Sequence, residues 1–393
     1  MEQSAHRTVM SSALANASLP SQDEAHPPAP SPQPRSAHFP ASSSSKPKRK
    51  HIHQEGRMDT PSSTLIRNSL IHSTRSARKR PRDAILIHVG IWLPTDLLRS
   101  LRTDWQRRQV VAIARTWAVL STRKTCRATG LSAALILDLP LATPPARIHL
   151  TSSARRTSKP TRLPPVLLDG QVIAPETTTL FHSPLTWPVD FPANPIQDNI
   201  QALEAVILSC SCLHPNQEGF VAICSALRRL AVPGGARRRY HFQLEQATKR
   251  KLSQILAELP AHTPRRAQAL WAVSNAEARC ESVPEARLLW LLRSGGIKGV
   301  EVQHLVANRD YRFYLDFAIP QLKIALEFDG DGKYGWTQED RAIAWGDQFE
   351  RQEFLEDRGW TVMRVHWADL AEPEVLLSKV RQLIRQVKLH SRR

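Results

Sequence analysis

The chain has 393 residues, 41% of them hydrophobic, which excludes a single small core and also a wholly disordered polymer. Its formal net charge of +18 favours a polyanionic partner, because Lys and Arg gain binding free energy by releasing counterions from phosphates. No run of about 18 apolar residues and no apolar leader is present, so neither a membrane span nor a secretory signal is expected.

The distribution of charge says more than its total. Residues 281–393 carry 17 Lys and Arg against 18 Asp and Glu, leaving a net +19 on residues 1–280. That division suits a front part that holds nucleic acid and a rear part that holds a cation. The five cysteines (Cys126, Cys210, Cys212, Cys224 and Cys280) form no CxxC pair and no Cys/His metal spacing, which fits free thiols in a cytoplasmic protein.

Residues 1–82 are rich in Ser, Pro and basic side chains and lack apolar periodicity, so a disordered tail is expected there. It holds two basic clusters, Lys46-Pro47-Lys48-Arg49-Lys50 and Arg78-Lys79-Arg80-Pro81-Arg82. Order is expected from about Ile85, where ILIHVGIWLP reads as a strand ended by Pro94. Residues 104–118 place Trp105, Val110, Ile113 and Trp117 on one helical face, and AVLSTRKTCRATGL reads as a helix stopped at Gly130. From 145 to 190 the chain is Pro-rich with short β-prone pieces. Helices are expected at 198–211, with Asp198 or Asn199 as cap, at about 218–230 and near 241–258. Arg237-Arg238-Arg239 is the densest basic spot between them. Residues 83–275 thus read as an α+β, largely helical region with a capacity for nucleic-acid binding.

From residue 276 onwards the pattern is that of an α/β domain. Ser282-Val283-Pro284-Glu285 opens a helix that Gly295-Gly296 closes. Strands are expected at 301–306, 312–317 and 323–328, a helix at 338–357, a strand at 361–365 and a closing helix at 373–388. These make a mixed sheet flanked by helices. Alternation puts Phe313, Leu315 and Phe317 on one face and Asp316 on the other; in the next strand Glu327 and Asp329 lie opposite Ile324, Leu326 and Phe328. A turn at 318–321 would pair the two strands and bring Asp316 beside Glu327. Adjacent carboxylates repel unless a cation sits between them, and Mg²⁺ takes one or two carboxylates together with water and substrate phosphate. Lys333, in the Gly-rich turn that follows, is placed to orient water or stabilise charge on a phosphate, and Glu285 is a candidate third acid that also fits a helix-capping box with Ser282. Trp290, Trp345, Trp360 and Trp367 read as core, and His304 and His366 as strand residues without a metal role.

The run RFYLDFAIPQLKIALEFDGDGKYG, followed by DQFERQEFLEDRGWTVMRVHWADL, resembles the very-short-patch-repair-like endonuclease domains of the PD-(D/E)xK, restriction-endonuclease-like superfamily, over about residues 281–389. The resemblance implies a metal-dependent endonuclease acting on DNA with Mg²⁺ or Mn²⁺, with Asp316 and Glu327 as metal ligands. It further implies Glu285, Asp329 and Lys333 as catalytic residues and Arg351 and Arg364 as substrate-binding ones. The general motif has Lys at its third catalytic position, where this chain has Asp329, as very-short-patch-like members do; Lys333 stands where many relatives have His. A weaker resemblance links the front part to actinobacterial proteins with an abortive-infection antitoxin-like region before such a nuclease, opening with a small winged helix whose remnant would fall at about 60–95. A second expectation is therefore a non-cleaving nucleic-acid-binding regulator, antitoxin-like, with a nuclease-derived fold.

Overall fold

The computed structural model describes residues 60–72, 81–152, 159–182, 199–309, 311–329 and 351–390. Regular structure starts earlier than the composition suggests. Ser62 caps a helix, α1 (Ser63–Ser69), by accepting from the Leu65 amide, and buries Ile66 completely. The strands β1 (Ile71–His72), β2 (Ala84–His88) and β3 (Ile91–Pro94) then form an antiparallel sheet in the order β1-β3-β2. Two corrections follow. Residues 60–72 belong to the fold rather than to a disordered tail, because Ile66 and Leu70 enter the main core. The run ILIHVGIWLP is a hairpin and not one strand, since Gly90 turns the chain with φ +73°.

A short helix, α2 (Thr95–Arg99), leads to α3 (Asp104–Thr122), which is held at its start by a capping box between Thr103 and Gln106. The expected helix ending at Gly130 is overturned. Residues Cys126–Ala128 form a strand, β4, and Gly130 begins a helix, α4 (Gly130–Ile136). Gly130 is required there twice over: its φ is +54°, and a Cβ would lie 2.6 Å from Nε2 of His214. β5 (Ile148–Ser152), β6 (Arg162–Leu163), β7 (Val166–Leu168), β8 (Gln171–Ala174) and β9 (Thr177–His182) follow. They give a four-stranded sheet β4-β5-β9-β6 and a β7-β8 hairpin. Four helices come next: α5 (Ile200–Leu213) capped by Asn199, α6 (Gln217–Ala231), α7 (Phe242–Glu258) and α8 (Arg266–Asn275).

The last part is α9 (Val283–Ser294), β10 (Glu301–Ala307), β11 (Arg312–Ile319), β12 (Ile324–Phe328), a helical stretch α10 at 351–356, β13 (Thr361–Val365), α11 (Trp367–Ala371) and α12 (Pro373–His390). The sheet order is β10-β11-β12-β13, antiparallel except for the parallel β12-β13 pair. This is the mixed sheet flanked by helices expected from the sequence. One main core runs without interruption from Ile66 through α3, α5, α6 and α9 to Val380 of α12. A smaller one, with Leu315, Ala318, Ala325, Phe354, Leu355 and Trp360, fills the other side of the sheet. All five cysteines are free thiols, and no helix among the described residues is long and apolar enough to cross a membrane.

Between the second residue of β5 and the last of β9, Nδ1 of His149 lies 3.0 Å from Nε2 of His182, and the His214 ring meets His149 edge-on at 4.5 Å. Burial, followed by the neighbouring imidazoles and Arg147, pushes His149 down to about 3; burial, His182 and Arg265 push His214 down to about 4. The unfolded chain takes up protons near pH 6.5 that the folded chain refuses, so stability falls as pH drops from about 6.5 towards 4. Allowing for partial exposure, the loss is of the order of 1–2 kcal/mol per imidazole. A His149→Gln variant is expected to show a smaller fall in Tm between pH 7 and pH 5 than the parent, measured by thermal unfolding in matched buffers.

Candidate functional site

The strands β11 and β12 pair as Phe317↔Leu326, Ala318↔Ala325 and Ile319↔Ile324. One step further would set Asp316 opposite Glu327, but the ladder stops. The Asp316 carboxylate instead accepts the Phe328 amide through Oδ2 at 3.0 Å, taking the place of a backbone carbonyl. On its other side Asp316 is flanked by Gln303 of β10, which sits at φ +52° between the paired residues Val302↔Phe317 and His304↔Leu315.

That kink changes which way the side chains face. Phe313 and Leu315 pack with Phe354 and Trp360 in the small core, whereas Phe317 and Ile319 point into the main core. The expectation that Phe313, Leu315 and Phe317 share a face is therefore corrected: the alternation breaks at Asp316, where the left-handed Gln303 rotates the pleat. The break lets Asp316 reach towards the start of α9. The turn between the strands is also later than expected, at Pro320–Leu322, with Lys323 at φ +47° closing it.

Glu285 meets Asp316 there. Its helix starts as the sequence suggests, with Ser282 as cap and Pro284 in the first turn. Glu285 is 5% exposed, and its carboxyl accepts from the Glu281 amide (2.8 Å) and the Ser282 hydroxyl (2.8 Å). Gln303 Nε2 lies between the two acids, 3.3 Å from Glu285 and 3.4 Å from Asp316. Gln303 Oε1 is buried with no hydrogen-bond partner. A buried amide oxygen left in this state marks a place for a water or an ion.

Glu327 lies on the side of α10, where Arg351 Nη2 holds it at 2.5 Å and also donates to the Tyr314 carbonyl at 2.7 Å. Asp329 stands 3.7 Å from Arg364, whose other terminal nitrogen reaches Gln352. Arg351 and Arg364 are thus ion-pair partners of the acids, a role the sequence left open beside phosphate contact. Lys333 lies outside the described residues. From the region before α9 comes a further cation, Arg237, which grips Glu281 with two hydrogen bonds of 3.0 and 2.8 Å.

Burial, with the Asp316 charge beside it, pushes Glu285 up to about 8, against the Glu281 amide and the Ser282 hydroxyl. Asp316 and Glu327 are raised as well; burial outweighs Arg351 and Arg237 at the first and Arg351 at the second. Three carboxyls reluctant to ionise together form a site with a standing demand for positive charge. Among the described residues no three Asp, Glu, His or Cys side chains converge as a ready-made metal cage. Two carboxylates completed by water are nevertheless a set that Mg²⁺ accepts.

Sequence reasoning missed Gln303 and Arg237. Gln303 reads as an ordinary strand residue, and Arg237 belongs to a basic run far from the acids in the chain. Of the tryptophans expected in the core, Trp360 is buried, but Trp367 is 41% exposed and meets Phe328 edge-on at 5.5 Å. Comparison with models of protein families, with curated proteins and with solved structures finds no match to this chain.

Because Glu285 holds its proton in the fold and sheds it near pH 4.5 when unfolded, its contribution to stability is lost as pH rises from about 4.5 to about 8. A Glu285→Gln variant has nothing to lose in that window. Without divalent cations, the wild type is expected to lose a few kcal/mol more than the variant between pH 6 and pH 8.5, measured by urea unfolding.

Proposed function

We propose that the chain is a metal-dependent endonuclease that hydrolyses nucleic-acid phosphodiesters, DNA before RNA, with Asp316 and Glu327 as ligands of Mg²⁺ or Mn²⁺. The observation that carries this reading is the grouping of Glu285, Asp316 and Glu327 at a broken strand pair, half-buried or buried, with every carboxyl raised by burial. A fold gains nothing by collecting such groups, which cost stability unless a cation joins them. The donor set fits a hard cation, being all oxygen, and the Gln303 amide that reaches both Glu285 and Asp316 carries a buried, unpartnered Oε1. The resemblance of residues 281–389 to very-short-patch-repair-like endonucleases supports the same reading.

A bound cation would supply Lewis-acid polarisation of the scissile phosphate and a water acidic enough to attack it. The protein's own residues do the rest. Asp316, fixed by the Phe328 amide, and Glu327, fixed by Arg351, are held in position before any substrate arrives. Glu285, protonated at neutral pH in the absence of cations, is a proton reservoir one Gln303 amide away from Asp316. The phosphorus–oxygen bond to water forms as the bond to the leaving oxygen breaks; the attacking water gives a proton to solvent, and the leaving oxygen takes one from solvent.

A second reading, a non-cleaving nucleic-acid-binding regulator, is favoured by one observation: Arg351 and Arg364 already ion-pair with Glu327 and Asp329. Supercoiled plasmid incubated with the purified chain and millimolar Mg²⁺ or Mn²⁺ decides between the two. Nicking is expected, and Asp316→Asn should lower its rate roughly 100-fold or more, several kcal/mol of barrier. Asn is the better probe than Ala because it keeps an acceptor for the Phe328 amide. Plasmid retained on a gel but left intact by the wild type would favour the second reading.

A further inference from the structure

Among the described residues, the two cations that the acidic segment sets beside its carboxyls, Arg351 and Arg364, are already paired with them. Arg351 is occupied by Glu327 and the Tyr314 carbonyl, and Arg364 by Asp329 and Gln352. Phosphodiester hydrolysis places negative charge on the non-bridging oxygens, and a fixed guanidinium is the side chain best shaped to meet it. Arg237 has the required mounting. It follows α6 after two left-handed glycines, Gly234 and Gly235, which turn the chain back towards α9.

Its Nε and Nη2 are bound to the two oxygens of Glu281, and its guanidinium carbon lies 4.6 Å from the centre of the Tyr314 ring. Tyr314 is two residues before Asp316 on β11, and Glu281 donates its amide to Glu285. Both Asp316 and Glu285 act electrostatically on Arg237. The side chain is nonetheless 34% exposed, and Nη1 has no acceptor among the described residues. A guanidinium held on one edge by a carboxylate and on one face by an aromatic ring has a single edge left to offer.

We propose that Arg237, from outside the nuclease-like segment, is the phosphate-binding residue of this site, its open edge donating to a non-bridging oxygen of the nucleic-acid backbone. The proposal rests on the reading of the acidic site as one that meets phosphodiesters. It makes the region before residue 276 a part of the site.

The test uses the full chain as wild type, Arg237→Gln, which keeps a donor for Glu281 but no charge, and Arg237→Lys, which keeps charge but loses the paired bonds and the stacking. Binding to a labelled DNA duplex is followed by fluorescence anisotropy in EDTA from about 50 to 200 mM salt. Single-turnover cleavage is followed with Mn²⁺, and Mn²⁺ affinity by electron paramagnetic resonance. For Arg237→Gln the slope of log K against log salt is expected to shrink by about one, the signature of one phosphate contact, and cleavage to slow roughly 100-fold, with Mn²⁺ affinity within a factor of two to three. Arg237→Lys should restore the slope but not the rate. If Arg237→Gln keeps both slope and rate while the wild type cuts, the proposal is overturned and the nuclease reading stands. If the wild type binds but never cuts and the variant still loses the slope, the phosphate contact stands and the nuclease reading falls. Loss of rate with the wild-type slope in both variants would reduce Arg237 to a strut between Glu281 and Tyr314, which also overturns the proposal.

Discussion

The hydrogen bond from the Phe328 amide to the Asp316 carboxylate is the interaction on which the rest of the site hangs. A strand pair normally continues until a turn, a bulge or the sheet edge ends it. Here a side chain takes over a ladder position, so the pairing of β11 and β12 ends at Phe317↔Leu326 while both strands run on. Beyond that point the two chains are free to present Asp316 to α9 and Glu327 to α10. The site therefore lies between the faces of the sheet. Its acids are drawn from three elements, each delivered by backbone that the core fixes.

The cost of this arrangement is electrostatic, and the fold offsets it by sharing protons and arginines. Glu285 is kept neutral at ordinary pH, Glu327 is matched by Arg351, and Asp316 leans on backbone and amide donors. The hydrogen-bonding groups that do this come from both sides of residue 276. Arg237 and Glu281 bridge the helical region to the sheet, and α6 packs against α9 in the main core. The acidic segment and the basic segment read from the sequence are thus adjacent in space at the place where their charges compensate.

Much of this was legible in the sequence because local rules carry it. The caps at Asn199 and Ser282, the glycine end of α9 and the strands β11 and β12 each follow from a few neighbouring residues. The antiparallel pairing of β11 and β12 was legible too, although the turn falls later than expected and the ladder stops one step short of Asp316 and Glu327. What escaped was decided at long range. Gly130 looked like a helix stop, yet His214, 84 positions away, fixes its role by leaving no room for a side chain. α1 was hidden in a polar composition, since only Ile66 and Leu70 of that stretch enter the main core. The face switch at Asp316 depends on the left-handed Gln303 across the sheet, and no alternation rule within one strand can foresee it.

The unbroken core has an evolutionary meaning. The charge pattern divides the sequence near residue 280, and segments that fold on their own can be traded by recombination at such a seam. In this molecule α6, α9 and α12 share one apolar interior, so a crossover at the apparent seam would join surfaces that had not adapted to each other. Inheritance of the acidic sheet is tied to inheritance of the helices before it. A substitution on either side of that interior must therefore be matched by one across it, while the loops and ends that the core does not reach are free of this constraint.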